Sequence, residues 1–118
     1  MLHQSGKLKL NLKEPHRRAL LRNQTIHLIM YGHLTTTKVQ AKGVQRFAEK
    51  VVTAARSGTD FNTQRRVRAL LPYKKEAIDR LLKEIAPRYA TRNGGYTRVI
   101  SMGRRMGDTA QVARLEWV

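Results

Sequence analysis

The chain has 118 residues, no cysteine, and 24 Lys plus Arg against 8 Asp plus Glu, a net charge of +16 with neutral histidines. That length suits one domain, and the lack of cysteine excludes disulfides, thiolate metal sites and a cysteine nucleophile. A compact body this positive repels itself, so the composition points to a polyanionic partner, with nucleic acid ahead of an anionic membrane.

The charge is spread along the chain. Residues 1–37 hold six basic and one acidic side chain, residues 38–70 eight and two, residues 71–85 four and three, and residues 86–118 six and two. Only the third segment is nearly neutral. A basic tail on a neutral enzyme would not give this pattern; a domain gripping a phosphate lattice from several sides would. A membrane mode needs a long apolar span or an amphipathic helix with bulky anchors, and the apolar runs are short, as at Leu28–Met30. The start, "MLHQSGKLKLNLKEP", has no apolar core of a secretory signal and no arginine before Arg17. The expected location is therefore cytoplasmic, with no transit peptide to suggest an organelle.

Residues 1–14 carry three lysines and little periodicity, and read as a basic N-terminal extension. A single α+β domain is expected over residues 15–118. Pro15 suits the first turn of a helix, and "PHRRALLRNQTIHLIMY" follows, with Ala19, Ile26 and Met30 on one stripe and Leu21 and Leu28 beside it. Arg17, Arg18 and Arg22 near its start oppose the helix dipole, a penalty that a nearby phosphate would reverse. Gly32 is placed to end this helix. "HLTTTKV" reads as a short strand, and Thr36 or Thr37 can cap the next helix.

That second helix runs from about Val39 to Arg56, with Val44, Ala48, Val51 and Ala55 as its apolar stripe. "SGTD" breaks it. "FNTQRRVRALL" is a short, very basic helix stopped by Pro72. "KKEAIDRLLKEIA" is the fourth, with Ile78, Leu81, Leu82 and Ile85 on one side and Glu76–Arg80 and Asp79–Lys83 as acid-first pairs four apart. Pro87 is expected to close it. "GYTRVIS" and "TAQVARLEWV" alternate as strands. Ala113, Leu115 and Trp117 fall on one face of the second, and Val112, Arg114 and Glu116 on the other. "MGRRMGD" links them as a hairpin with two arginines at its tip. The fold class is α+β: about four helices on a small mixed sheet with a C-terminal β-hairpin, preceded by the extended basic segment.

The chemical templates fail. Gly103 and Gly107 are four apart and followed by Asp108, so no Walker loop forms, and no G-x-G-x-x-G exists. The glycines at Gly94–Gly95 and Gly103/Gly107 read as turn devices with positive φ. His3, His16, His27 and His33 make no metal-binding cluster. The acids are explained by capping, by lysine partners, or, at Glu49 and Glu116, stand isolated, so no acid–base pair is found. No cofactor and no small-molecule substrate are expected. Aromatics are few; Phe47 and Trp117 fall on core faces, while Tyr96, beside Gly95 and Arg98, is left between stacking on a base and packing under the strand. The residues alone lead to an RNA-binding α+β domain that reads backbone and shape. The alternatives are another RNA-binding protein, a DNA-packing or regulatory protein, and a small RNA-modifying or nuclease enzyme, for which no catalytic cluster can be assembled.

"NLKEPHRRALLRN", "LTTTKVQAK" and "APRYATRNGGYTRVISMGRRMGD" closing with "ARLEWV" resemble the bacterial large-subunit ribosomal proteins of the L-seventeen family. The resemblance covers essentially the whole chain, and "PRYATRNGGYTR" is its most specific element. It implies a structural constituent of the large subunit that binds ribosomal RNA, supports subunit assembly and translation, lies near the peptide exit region, has neighbouring ribosomal proteins as partners, and catalyses nothing. The chain departs from the family pattern at Leu2 and Leu12, where a basic residue is usual, and at Val39 and Gly43. Taken with the basic side chains along the sequence, the expected RNA-binding residues are His3, Lys7, Lys9, Lys13, His16, Arg17, Arg18, Arg22, Lys38, Lys42, Arg92, Tyr96, Arg98, Arg104 and Arg105.

Overall fold

A computed structural model describes residues 12–58, 60–72 and 74–118. The elements run α1 (Glu14–Tyr31), β1 (His33–Thr37), α2 (Lys38–Ala55), α3 (Phe61–Leu70), α4 (Lys75–Arg80), a π-helical turn (Leu81–Ile85), α5 (Ala86–Arg88), β2 (Thr97–Arg104) and β3 (Gln111–Trp117). The segments from Lys75 to Arg88 are continuous, so four helical rods stand against three strands.

The boundaries follow local chemistry. Gly32 takes φ +83°, and its N–H reaches the Leu28 carbonyl, which ends α1 in the left-handed conformation that glycine allows. The Thr37 side chain accepts from the Gln40 N–H and starts α2. Asp60 stands at the N-terminal boundary of α3, and its carboxylate accepts from the buried Thr63 hydroxyl, a bond that holds the carboxyl below the usual range.

The fourth rod widens near Pro87. The Ala86 N–H reaches back to the Leu81 carbonyl, one residue further than in an α-helix. Proline has no N–H and its ring presses on the carbonyl four residues back, so the regular ladder fails at this place. Pro87 therefore lies inside the final turn, and Arg88 closes it. On this rod's surface Arg80 pairs with Glu84 at 3.2 Å.

The sheet order is β1-β3-β2, and both pairings are antiparallel. The sheet expected as mixed is thus antiparallel throughout: the last strand enters the middle and runs against both neighbours. Ala113 and Leu115 point at the helices and are fully buried, whereas Arg114 and Glu116 lie on the outer face. Between Ser101 and Gly103 the β2 register shifts by one residue, with Gly103 at φ +93°. This bulge moves the alternation, so Arg104 pairs with Gln111 at the strand end.

The α2 helix is central. Ala41, Val44, Ala48, Val51 and Val52 are fully buried. Each buried Val contributes roughly 1.5–3 kcal/mol of transfer free energy. Its two sides serve two clusters: Val51 and Val52 pack with α3, the fourth rod and Tyr96, and Val44 and Ala48 pack with Leu28, Leu34 and Leu115.

Candidate nucleic-acid interface

The first half of α1 and the middle of α2 face each other across a groove of about 540 Å³. Arg17, Arg18 and Arg22 come from α1, and Arg46 and Lys50 from α2; Glu14 is the one acid in its lining. Arg18 pairs with Glu14 at 2.6 Å on the exposed rim, and Arg17 donates to the Leu12 carbonyl at 3.5 Å. Five cations on one groove with one carboxylate make a local positive field, focused by the low-dielectric walls.

Arg46 and Lys50 are missing from the expected set. Their signal was present: Lys42, Arg46 and Lys50 recur every four residues and form a basic stripe on α2. Lys42 is exposed on that stripe, and Lys38 opens the helix half-buried. Arg65, Arg66 and Arg68 are likewise exposed on α3.

The hairpin forms a second basic group, differently arranged from the expectation. Arg104 ends β2, and the turn itself is Met106 to Thr109, with the Arg105 N–H bonded to the Ala110 carbonyl at 2.8 Å. Both arginines precede the tip and do not form it, because the Gly103 bulge places the turn further along the chain. Gly107 is not in a positive-φ conformation; Thr109 is, at φ 58°. Gly94 also lacks positive φ, whereas Gly95 has it, at +65°. Arg105 is clamped to Asp108 by two bonds of 3.0 and 2.6 Å, which hold the carboxyl down at about 2. Arg98 meets Glu116 at 3.4 Å, and Arg114 meets the other oxygen of Glu116 at 3.7 Å. Arg104 is exposed and has no ion pair among the described residues.

Glu49 and Glu116 are not isolated. Glu49 accepts from the Thr97 hydroxyl at 2.9 Å and the Thr97 N–H at 3.4 Å, tying β2 to α2. Glu116 sits between two arginines on the outer sheet face. Both acids are structural ties between elements far apart in sequence, which is why sequence position did not reveal their partners.

Of the two readings open for Tyr96, the structure takes packing under the strand, which removes it from the expected RNA-binding residues. It is fully buried, with its ring 5.3 Å from that of Tyr89. Its hydroxyl accepts from Arg56 at 3.1 Å and donates to the Arg92 carbonyl at 3.2 Å. A side chain so placed cannot stack on a base. The most specific stretch of the sequence is therefore a lock. The Tyr89 hydroxyl donates to the Val118 carbonyl at 2.6 Å, and the Val118 N–H bonds to the Tyr96 carbonyl at 2.9 Å. Arg92 stays exposed and donates to the Gly95 carbonyl at 3.4 Å.

Of the remaining expected residues, Lys13 immediately precedes α1 and His16 lies in its first turn, both exposed. His3, Lys7 and Lys9 lie outside the described residues. Among the described residues no cluster of His, Asp and Glu could hold a metal ion, and no helix is long and apolar enough to cross a membrane.

Comparison with known proteins decides the family. The model of ribosomal protein L17 matches residues 20–118. The chain belongs to the ribosomal protein L17 family. It is similar to the large ribosomal subunit protein bL17 of Helicobacter hepaticus, at 48% identity over all of both chains. The bL17 of Campylobacter lari is 47% identical over 100% of this chain and 99% of its own length. That of Clostridium novyi is 47% identical over 93% and 96%. Family membership makes this chain a ribosomal protein of the large subunit, structural and not catalytic.

Proposed function

We propose that the chain binds large-subunit ribosomal RNA through its basic side chains and helps to join RNA segments during subunit assembly. The groove between α1 and α2 carries this reading: five cations from two helices converge there against one carboxylate. Arginine presents a planar fork that matches phosphate oxygens, so such a cluster suits a phosphate backbone. The hairpin group and the basic residues 1–14 act as further anchors around one domain formed by residues 15–118. Neighbouring ribosomal proteins are the other partners, and the location is the cytoplasmic ribosome, near the peptide exit region.

The test is the salt dependence of binding to large-subunit ribosomal RNA. Each phosphate contact adds about 0.7–0.9 to the log–log slope, so several contacts give a steep exponent. A flat response between low and high salt refutes the electrostatic mode. Preference for duplex DNA in direct competition would support DNA packing in its place.

A further inference from the structure

The groove between α1 and α2 is more than a ring of charge. Leu21, Phe47 and Leu70 line it beneath the cations, all half-buried. Phe47 and Leu70 lean on one core cluster and Leu21 on the other, so the groove opens where the two cores meet. Gly43 lines the same wall and has no side chain to fill it. An apolar floor with an aromatic ring under a cationic rim has the chemistry of a nucleotide: a base below, phosphates above. At about 540 Å³ it lies within the roughly 300–1,000 Å³ of small-ligand sites.

We propose that this groove receives one unstacked nucleotide of the RNA, its base against Phe47, Leu21 and Leu70 and its phosphates among Arg22, Arg46 and Lys50. The proposal rests on the RNA-binding reading and narrows it. Taking a base out of a paired A-form helix costs its stacking and pairing, whereas loops and bulges already present unstacked bases, so the ligand comes from a single-stranded loop or bulge.

Ultraviolet cross-linking of the full chain to large-subunit ribosomal RNA, followed by peptide mapping, locates the contact. A nucleotide attached to the α2 peptide at Phe47 is the expected result. Phe47→Leu keeps volume and apolarity; it should weaken binding about tenfold with an unchanged salt slope, within what base–aromatic stacking contributes. Lys50→Gln, at an exposed site, should lower the slope by about 0.7 with an unchanged melting temperature. Steep salt-dependent RNA binding that both variants leave intact, with cross-links only in other peptides, overturns the groove proposal and spares the RNA reading. Absence of salt-dependent RNA binding by the unaltered chain overturns that reading instead. An acidic peptide that binds at Phe47 while RNA does not would also overturn the proposal.

Discussion

Arg56, at the C-terminal end of α2, donates to the Tyr96 hydroxyl at 3.1 Å and to the Ala90 carbonyl at 3.2 Å. These bonds fasten the loop before β2 to the core helix, and they spend an arginine on structure in a chain rich in arginine for another purpose. Tyr96→Phe removes the hydroxyl and leaves Arg56 and the Arg92 carbonyl without this partner. The expected loss is about 1 kcal/mol of stability, since two partly buried partners lose this hydrogen bond. Denaturant midpoints measure it. The salt slope of RNA binding should stay unchanged where the variant is folded; a fall in slope would mean that this network touches phosphate.

Asp108 is held at about 2, first by its bonds to Arg105. The folded value lies below the ordinary 3.8, so this clamp favours the native turn above about pH 4 and is lost as pH falls toward 2. Carbon NMR of the carboxyl should show that midpoint, and a midpoint near 4 would mean no clamp in solution. Asp108→Asn should keep the bond from the Ala110 N–H and release Arg105. At neutral pH the variant should bind ribosomal RNA more tightly, with a slope steeper by up to about 0.9.

The helices were legible because their apolar stripes and breakers agree: Val44, Ala48, Val51 and Ala55 repeat on one face, and Gly32 and Pro72 interrupt where expected. The alternation of Ala113 and Leu115 likewise assigned the inner face of β3. What escaped depended on contacts distant in sequence. Tyr96 sits among glycines and arginines in the chain, but its surroundings in space are Tyr89, Thr53 and Arg56. Glu49 finds Thr97 48 residues away. Strand order is also non-local, so the central place of β3 and its antiparallel fit to β1 were not encoded in any one segment. The groove combined both kinds: its arginines on α1 were visible, whereas its second wall on α2 needed the helices to be packed.

Replacing Lys7, Lys9 and Lys13 together with glutamine should weaken RNA association and reduce the salt slope by about 2, one phosphate contact for each lysine. Lys13 is exposed ahead of α1, and Lys7 and Lys9 precede it in sequence. The free protein's melting temperature should therefore hardly move. An equal drop in thermal stability would show that the start of the chain is part of the fold and not an extension of it.

The Leu28 carbonyl accepts twice, from the Gly32 N–H at 2.9 Å and from Trp117 Nε1 at 3.2 Å. One oxygen thereby joins the end of α1 to the end of the central strand. Gly32→Ala meets no atom within 4 Å of its new Cβ, so its penalty is the left-handed backbone, about 1–2 kcal/mol. Trp117→Phe removes the indole donor and should cost about 1 kcal/mol or more, including lost packing. Because both changes act on the same oxygen, their effects should not add. A double-mutant cycle by denaturant unfolding should give a coupling of at least about 0.5 kcal/mol. Additivity within about 0.3 kcal/mol would show that the helix cap and the strand end are held independently.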